Sequence, residues 1–95
     1  MSSSPSYVGP KGRRDVVFRQ LDDSWVLFDP RATKLHALNL SAALVWAHCD
    51  GRYDPEAIAE ALAASFDPPV SLSRARQDVA VTLRRFREAG LLEPM

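Results

Sequence analysis

One cysteine, Cys49, stands in the whole chain. A lone thiol excludes an internal disulfide and any multi-cysteine zinc site, and with them a disulfide-stapled secreted mini-protein. Histidine is nearly as scarce. His36 and His48, with Cys49, make at most three soft ligands, and their spacing matches no metal signature. No metal and no cofactor is therefore expected. The four glycines, Gly9, Gly12, Gly51 and Gly90, are scattered, so there is no glycine-rich loop to cradle a phosphate. No apolar run approaches the roughly 20 residues that span a bilayer. The Ser/Pro/Gly-rich stretch from Met1 to Gly12 lacks the apolar segment of a secretory signal and is expected to be a disordered tail. The default compartment is the cytoplasm. Net charge is lacking too: 12 basic residues offset 12 acidic ones. That argues against a nucleic-acid binder relying on whole-domain charge, though not against a local basic patch.

What is present is an ordinary globular composition, 46% hydrophobic and 25% charged, in 95 residues. This suits a single domain over residues 13–95. A domain of that size buries roughly 60–65% of the surface its unfolded chain exposes. It holds one modest core and has little room for a deep catalytic cavity.

The hydrophobic period changes near the middle. Asp15–Gln20 is rich in β-formers, with Val16 and Phe18 on one face and Val17 and Arg19 on the other. Leu21–Ser24 carries turn chemistry, because Asp and Ser side chains bond their own nearby backbone. Trp25–Phe28 is apolar on both faces, as a central strand under a helical layer would be. Pro30 breaks that run. Lys34–Leu38 alternates polar and apolar residues, with His36 expected on the more exposed face. The three runs predict an antiparallel meander.

From Asn39 the period is helical. Asn39 or Ser41 caps a first helix reaching about Cys49, with Leu40, Leu44 and Cys49 on its apolar side. Asp50-Gly51 closes it, since Gly adopts the left-handed conformation without penalty. Asp54-Pro55 opens a second helix with Ile58, Ala59, Leu62 and Phe66 inward. Ser71 or Ser73 opens a third that runs to Gly90, with a stripe of Leu72, Ala75, Val79, Leu83 and Phe86. Leu91-Leu92 then folds back. The expected class is α+β, winged-helix-like: a three-stranded antiparallel sheet followed by three helices. The outer sheet face is left to solvent or a partner.

A search for catalytic groups finds none that the sequence itself supports. Asp22-Asp23 fits a turn, and Asp50 and Asp54 fit helix boundaries. Two features point to binding instead. The third helix carries Arg74, Arg76, Arg84, Arg85 and Arg87 against Asp78 and Glu88. That surface is either solvated or made for an acidic partner. A winged-helix reader of DNA would present such residues in its N-terminal half, whereas three of the five arginines lie in the last two turns. Second, Lys34–Leu38 falls at a sheet edge, whose unpaired backbone groups a protein must shield or use. A peptide adding there as a fourth strand would gain backbone hydrogen bonds. The backbone of Lys34, Leu35, His36, Ala37 and Leu38 and the helix flank Arg74, Asp78, Val81, Thr82 and Arg85 are the candidate binding residues. Self-pairing of the edge into a homodimer stays open.

The combination of Trp25–Phe28, Lys34–Asn39 running into Ser41–Trp46, Asp50-Gly51, Ile58–Leu62 and the closing Phe86–Leu92 resembles the PqqD-like family, also described as recognition elements of ribosomally made, post-translationally modified peptides (RiPPs). The likeness covers about Arg13 to Glu93. It implies a non-catalytic domain that binds the leader of a precursor peptide along the third strand, against the third helix. It also implies presentation to a modifying enzyme, often a radical SAM enzyme, in pyrroloquinoline quinone biosynthesis or a related pathway. The founding-pathway proteins carry an aromatic-Pro-Glu-Gly stretch and a Gly-Trp where this chain has Phe28-Asp-Pro-Arg31 and Gly90-Leu-Leu92. A lasso-type or other modified-peptide pathway is therefore an equal expectation. The alternative outside this class is a winged-helix DNA-binding regulator.

Overall fold

The computed structural model describes Tyr7 to Pro94. Strands β1 (Val17–Leu21), β2 (Ser24–Asp29) and β3 (Lys34–Leu38) come first, then helices α1 (Leu40–Ala47), α2 (Pro55–Ala64) and α3 (Leu72–Glu88). The sheet is an antiparallel meander in the order β1-β2-β3. Leu21 pairs with Ser24 across the Asp22-Asp23 turn, and Asp22 takes the positive φ (42°) that Asp tolerates better than most residues. Each helix starts on a side-chain cap: Asn39 accepts from the Ala42 amide, Asp54 from Ala57 and Ser71 from Arg74. Each such cap satisfies a backbone donor that has no partner within the helix.

Register fixes the faces. Phe18, Leu27 and His36 align across the three strands, as do Gln20, Trp25 and Leu38. This is the inner face, where Leu27 and Leu38 are buried under α1. Val17, Phe28 and Leu35 align on the outer face, and Leu35 is 68% exposed. His36 thus lies inward and half-buried, not on the exposed face that simple alternation of polarity suggested. The helices pack as a layer whose core combines Val45, Ile58, Leu62, Val79, Leu83 and Phe86 with Leu27 from the sheet. Trp46 meets Phe86 edge-to-face at 5.4 Å. Burying these residues supplies roughly 1.5–3 kcal/mol for each large side chain.

Three boundaries differ from the sequence expectation. β1 starts at Val17, because Asp15 turns its carboxylate to Arg13 and Arg31 instead of extending the ladder. α1 stops at Ala47, and its buried residues are Ala42, Ala43 and Val45; Leu40 is 45% exposed at the first turn. His48 caps the helix, and its Nδ1 lies 2.8 Å from the Leu44 carbonyl, so that nitrogen carries the proton. The third difference is the N-terminal tail expected over residues 1–12. Residues 1–6 lie outside the described residues, but Val8–Gly12 is tied down. Val8 and Gly12 donate to the Gly51 and Cys49 carbonyls, and Pro10 accepts from Gly51. Isolated bridges pair Lys11 with Asp50 and Gly12 with Leu92, which confirms the folded-back Leu91-Leu92. The Ser/Pro/Gly composition concealed this because the segment is held by backbone bonds, not by apolar side chains.

Candidate functional site

β3 has β2 on one side and no strand on the other. In an antiparallel ladder, successive residues alternate between bonding the neighbour and pointing their backbone groups away. The Ala37 carbonyl accepts a hydrogen bond from Arg85 Nη2 at 2.7 Å, so it points away from β2. Alternation then turns the Leu35 backbone outward as well, while Lys34, His36 and Leu38 bond β2. Of the five candidate strand positions, Leu35 and Ala37 present the free edge.

An open groove runs between α3 and the start of α1, just past the C-terminal end of β3. The groove holds about 380 Å³ and is lined by Asn39, Ser41, Arg74, Gln77, Asp78, Val81 and Thr82. Arg85 sits near Ala37, whereas Arg74 and Asp78 sit near Asn39 and Ser41, so α3 runs antiparallel to β3. Of the predicted helix positions, Arg74, Asp78, Val81 and Thr82 line the groove, and Arg85 instead bonds the Ala37 carbonyl of β3. Val81 is an exposed apolar residue in the middle, and Thr82 is nearly buried. Gln77, three residues after Arg74 and four before Val81, joins them on the same helical flank, where helical spacing alone places it. Asn39 and Ser41, candidate caps by sequence, form the other wall.

The arginines of α3 divide by partner. Arg76 pairs with Glu56 of α2 at 2.8 Å, and this contact holds the Glu56 carboxyl below its ordinary range. Arg74 lies 3.7 Å from Asp78 within the helix. Arg85 has no acidic partner among the described residues and is bound to backbone. The groove is therefore lined by one weakly paired guanidinium, Arg74, while Arg85 lies on the edge of β3.

Elsewhere the chemistry is sparse. Among the described residues no three His, Cys, Asp or Glu side chains gather to hold a metal. Cys49 is buried, and desolvation pushes its thiol up to about 12, far from a reactive thiolate. No helix among the described residues is long and apolar enough to cross a membrane.

A short antiparallel sheet with β1 and β3 at its edges, and a long helix tied to the β3 edge through Arg85, define a small winged-helix-like domain. The chain belongs to the PqqD family: the model for coenzyme PQQ synthesis protein D matches residues 24–92. No curated protein sequence matches it. Among solved structures it is similar to a lasso peptide synthetase B1 complexed with the leader peptide, with 25% identity and a TM-score of 0.76 over 92% of this chain and 100% of that one. TbiB1 in complex with the TbiA(beta) leader peptide is 25% identical, with a TM-score of 0.74 over 90% and 96% of the two chains. The PqqD truncation of Methylobacterium extorquens PqqCD, a stand-alone RiPP recognition element, shares the fold at 22% identity, with a TM-score of 0.72 over 97% and 96%.

Proposed function

We propose that this protein is a peptide-binding adaptor. It takes the leader segment of a ribosomally made precursor peptide as a fourth strand on β3. It then presents the rest of the peptide to a modifying enzyme, a radical SAM enzyme being one candidate, in pyrroloquinoline quinone or a related modified-peptide pathway. The observation that carries this reading is the outward backbone of Leu35 and Ala37 on the side of β3 where Arg85 of α3 reaches it, with the groove beside α3 continuing past the end of the strand. Two outward residues offer up to four backbone hydrogen bonds to an added strand, and side chains along the groove supply selectivity. Structural likeness to two leader-bound proteins supports it. The domain acts by binding alone, without cofactor, and works in the cytoplasm where precursor peptides are made.

The test is an NMR titration of the labelled chain with the leader of a short precursor peptide encoded beside its gene. The expected result is saturable shifts concentrated at Leu35, Ala37 and the groove side of α3. A third strand unshifted at saturating leader overturns the proposal. Shifts along α3 with duplex DNA, at an affinity falling steeply with salt, would instead support a regulator.

A further inference from the structure

We infer that Arg85 is a latch on the free edge of β3, and that once displaced it selects an acidic side chain in the incoming peptide. This rests on the strand-addition reading above and assigns that site a specificity residue. An added strand lies about 4.8 Å from its neighbour and brings an amide nitrogen to about 2.9 Å from the carbonyl it bonds. Arg85 Nη2 already stands 2.7 Å from the Ala37 oxygen, on the side away from β2. The guanidinium holds the place that a peptide amide would take. In the free protein it covers an edge acceptor, one of the ways a protein blunts an open strand. Strand entry must move it aside.

Among the described residues no carboxylate pairs with Arg85; Glu88, three residues on in α3, is within helical reach but makes no ion pair with it, and any such pair would be an exposed one of small worth. Asp78, the acid lining the groove, lies seven residues and about two helical turns away, beside Arg74. Glu56 is engaged by Arg76 through three contacts of 2.8–3.2 Å. A guanidinium is always charged, so the displaced group remains a cation beside the β3 edge. A carboxylate on the peptide residue that passes Ala37 and faces α3 answers it with paired N–H···O bonds. Peptides carrying a carboxylate there recover the bond that the latch gives up, and neutral peptides do not.

The experiment titrates the full-length wild-type and Arg85→Gln chains with the neighbouring gene's leader peptide and with a series in which each residue in turn is replaced by Glu. In the wild type, Glu at one position facing α3 should tighten binding about two- to fivefold, the range of an exposed ion pair. Arg85→Gln should abolish that gain. Without peptide, Arg85→Gln should also shift the Leu38 amide, whose nitrogen is bonded to the Ala37 carbonyl carbon. A gain that persists in Arg85→Gln, or no gain at any position, overturns the latch and leaves the strand-addition reading standing. A parent leader that binds neither chain overturns the strand-addition reading and the latch with it.

Discussion

Arg13 is the residue on which three parts of the chain converge. Its guanidinium, 8% exposed, bonds Asp29 at 2.8 and 3.2 Å, Asp15 at 2.7 and 3.1 Å and the Gly90 carbonyl at 2.9 Å. It thereby joins the N-terminal segment to the end of β2 and the end of α3. Asp29, 2% exposed, also accepts from the amides of Arg31 and Ala32 and so shapes the β2–β3 turn. The Arg13 hydrogen bond holds the Asp29 carboxyl below its ordinary range. Below about pH 4 the unfolded chain therefore takes up a proton that the folded chain resists. The contribution is complete above the unfolded value and disappears as pH falls through the lower folded one. Asp29→Asn should be less stable than wild type at pH 7 and should lose less on acidification from pH 4 to pH 2, as read by urea denaturation at each pH. Cys49 gives a second residue-scale prediction. With its thiol raised by burial, it should resist iodoacetamide at pH 8 and label only as fast as the chain unfolds. Rapid labelling under native conditions would show that the loop between α1 and α2 opens locally.

At the scale of elements, β3 and α3 carry the proposed function, and the edge geometry makes a sharp distinction between adjacent residues. The Ala37 N–H points out, so proline there removes no bond to β2. Ala37→Pro should keep a cooperative thermal transition and weaken leader binding about tenfold or more, since it deletes a donor and puts a ring in the strand's path. His36→Pro removes a ladder bond and should fail to fold. If Ala37→Pro binds as wild type does, the leader does not use this edge. α3 depends on its start: Ser71→Ala should cost about 1 kcal/mol in chemical denaturation, the usual loss of an N-cap. These elements were largely legible in the sequence, for stated physical reasons. Lys34–Leu38 is bounded by turn chemistry and a capping Asn, and the α3 stripe recurs every three or four residues. The facing of His36 was not legible, because alternation gives two sets of residues without saying which is inside. Leu35 is exposed because register, fixed by the β2–β3 turn, places it opposite Phe28 on the outer face. The groove was half legible: helical spacing gave one wall, but the other, Asn39 and Ser41, depends on how the start of α1 packs beside α3.

For the whole molecule, the part least readable from composition is the one that closes it. Residues 8–12 hold no large apolar side chain in the core, and a Ser/Pro/Gly-rich start has the appearance of a tail. Yet this stretch threads between the α1–α2 loop and the chain's C-terminal segment. Gly12 donates to Cys49, Gly51 donates to Pro10, and Glu93 donates to Lys11 at 2.7 Å. Its fit depends on small residues. A Cβ on Gly12 would come within 2.5 Å of the Trp46 ring, which in turn packs on Phe86 at the centre of the core. The Arg13 cluster continues the same seam to β2 and α3. The N-terminal segment is thus a clasp between the first and last parts of the helical layer, far in sequence from both. Deleting residues 1–12 should remove four backbone hydrogen bonds and uncover Trp46. At roughly 0.5–1.5 kcal/mol for each bond, that is a loss of about 2–6 kcal/mol in urea denaturation. The leader binding proposed at β3, which residues 8–12 do not pair with, should survive in whatever fraction stays folded. If the deletion leaves the urea midpoint unchanged, the clasp carries no stability and the tail inferred from composition describes the molecule better. Gly12→Ala separates the two: it should destabilise only where the segment is pressed against Trp46.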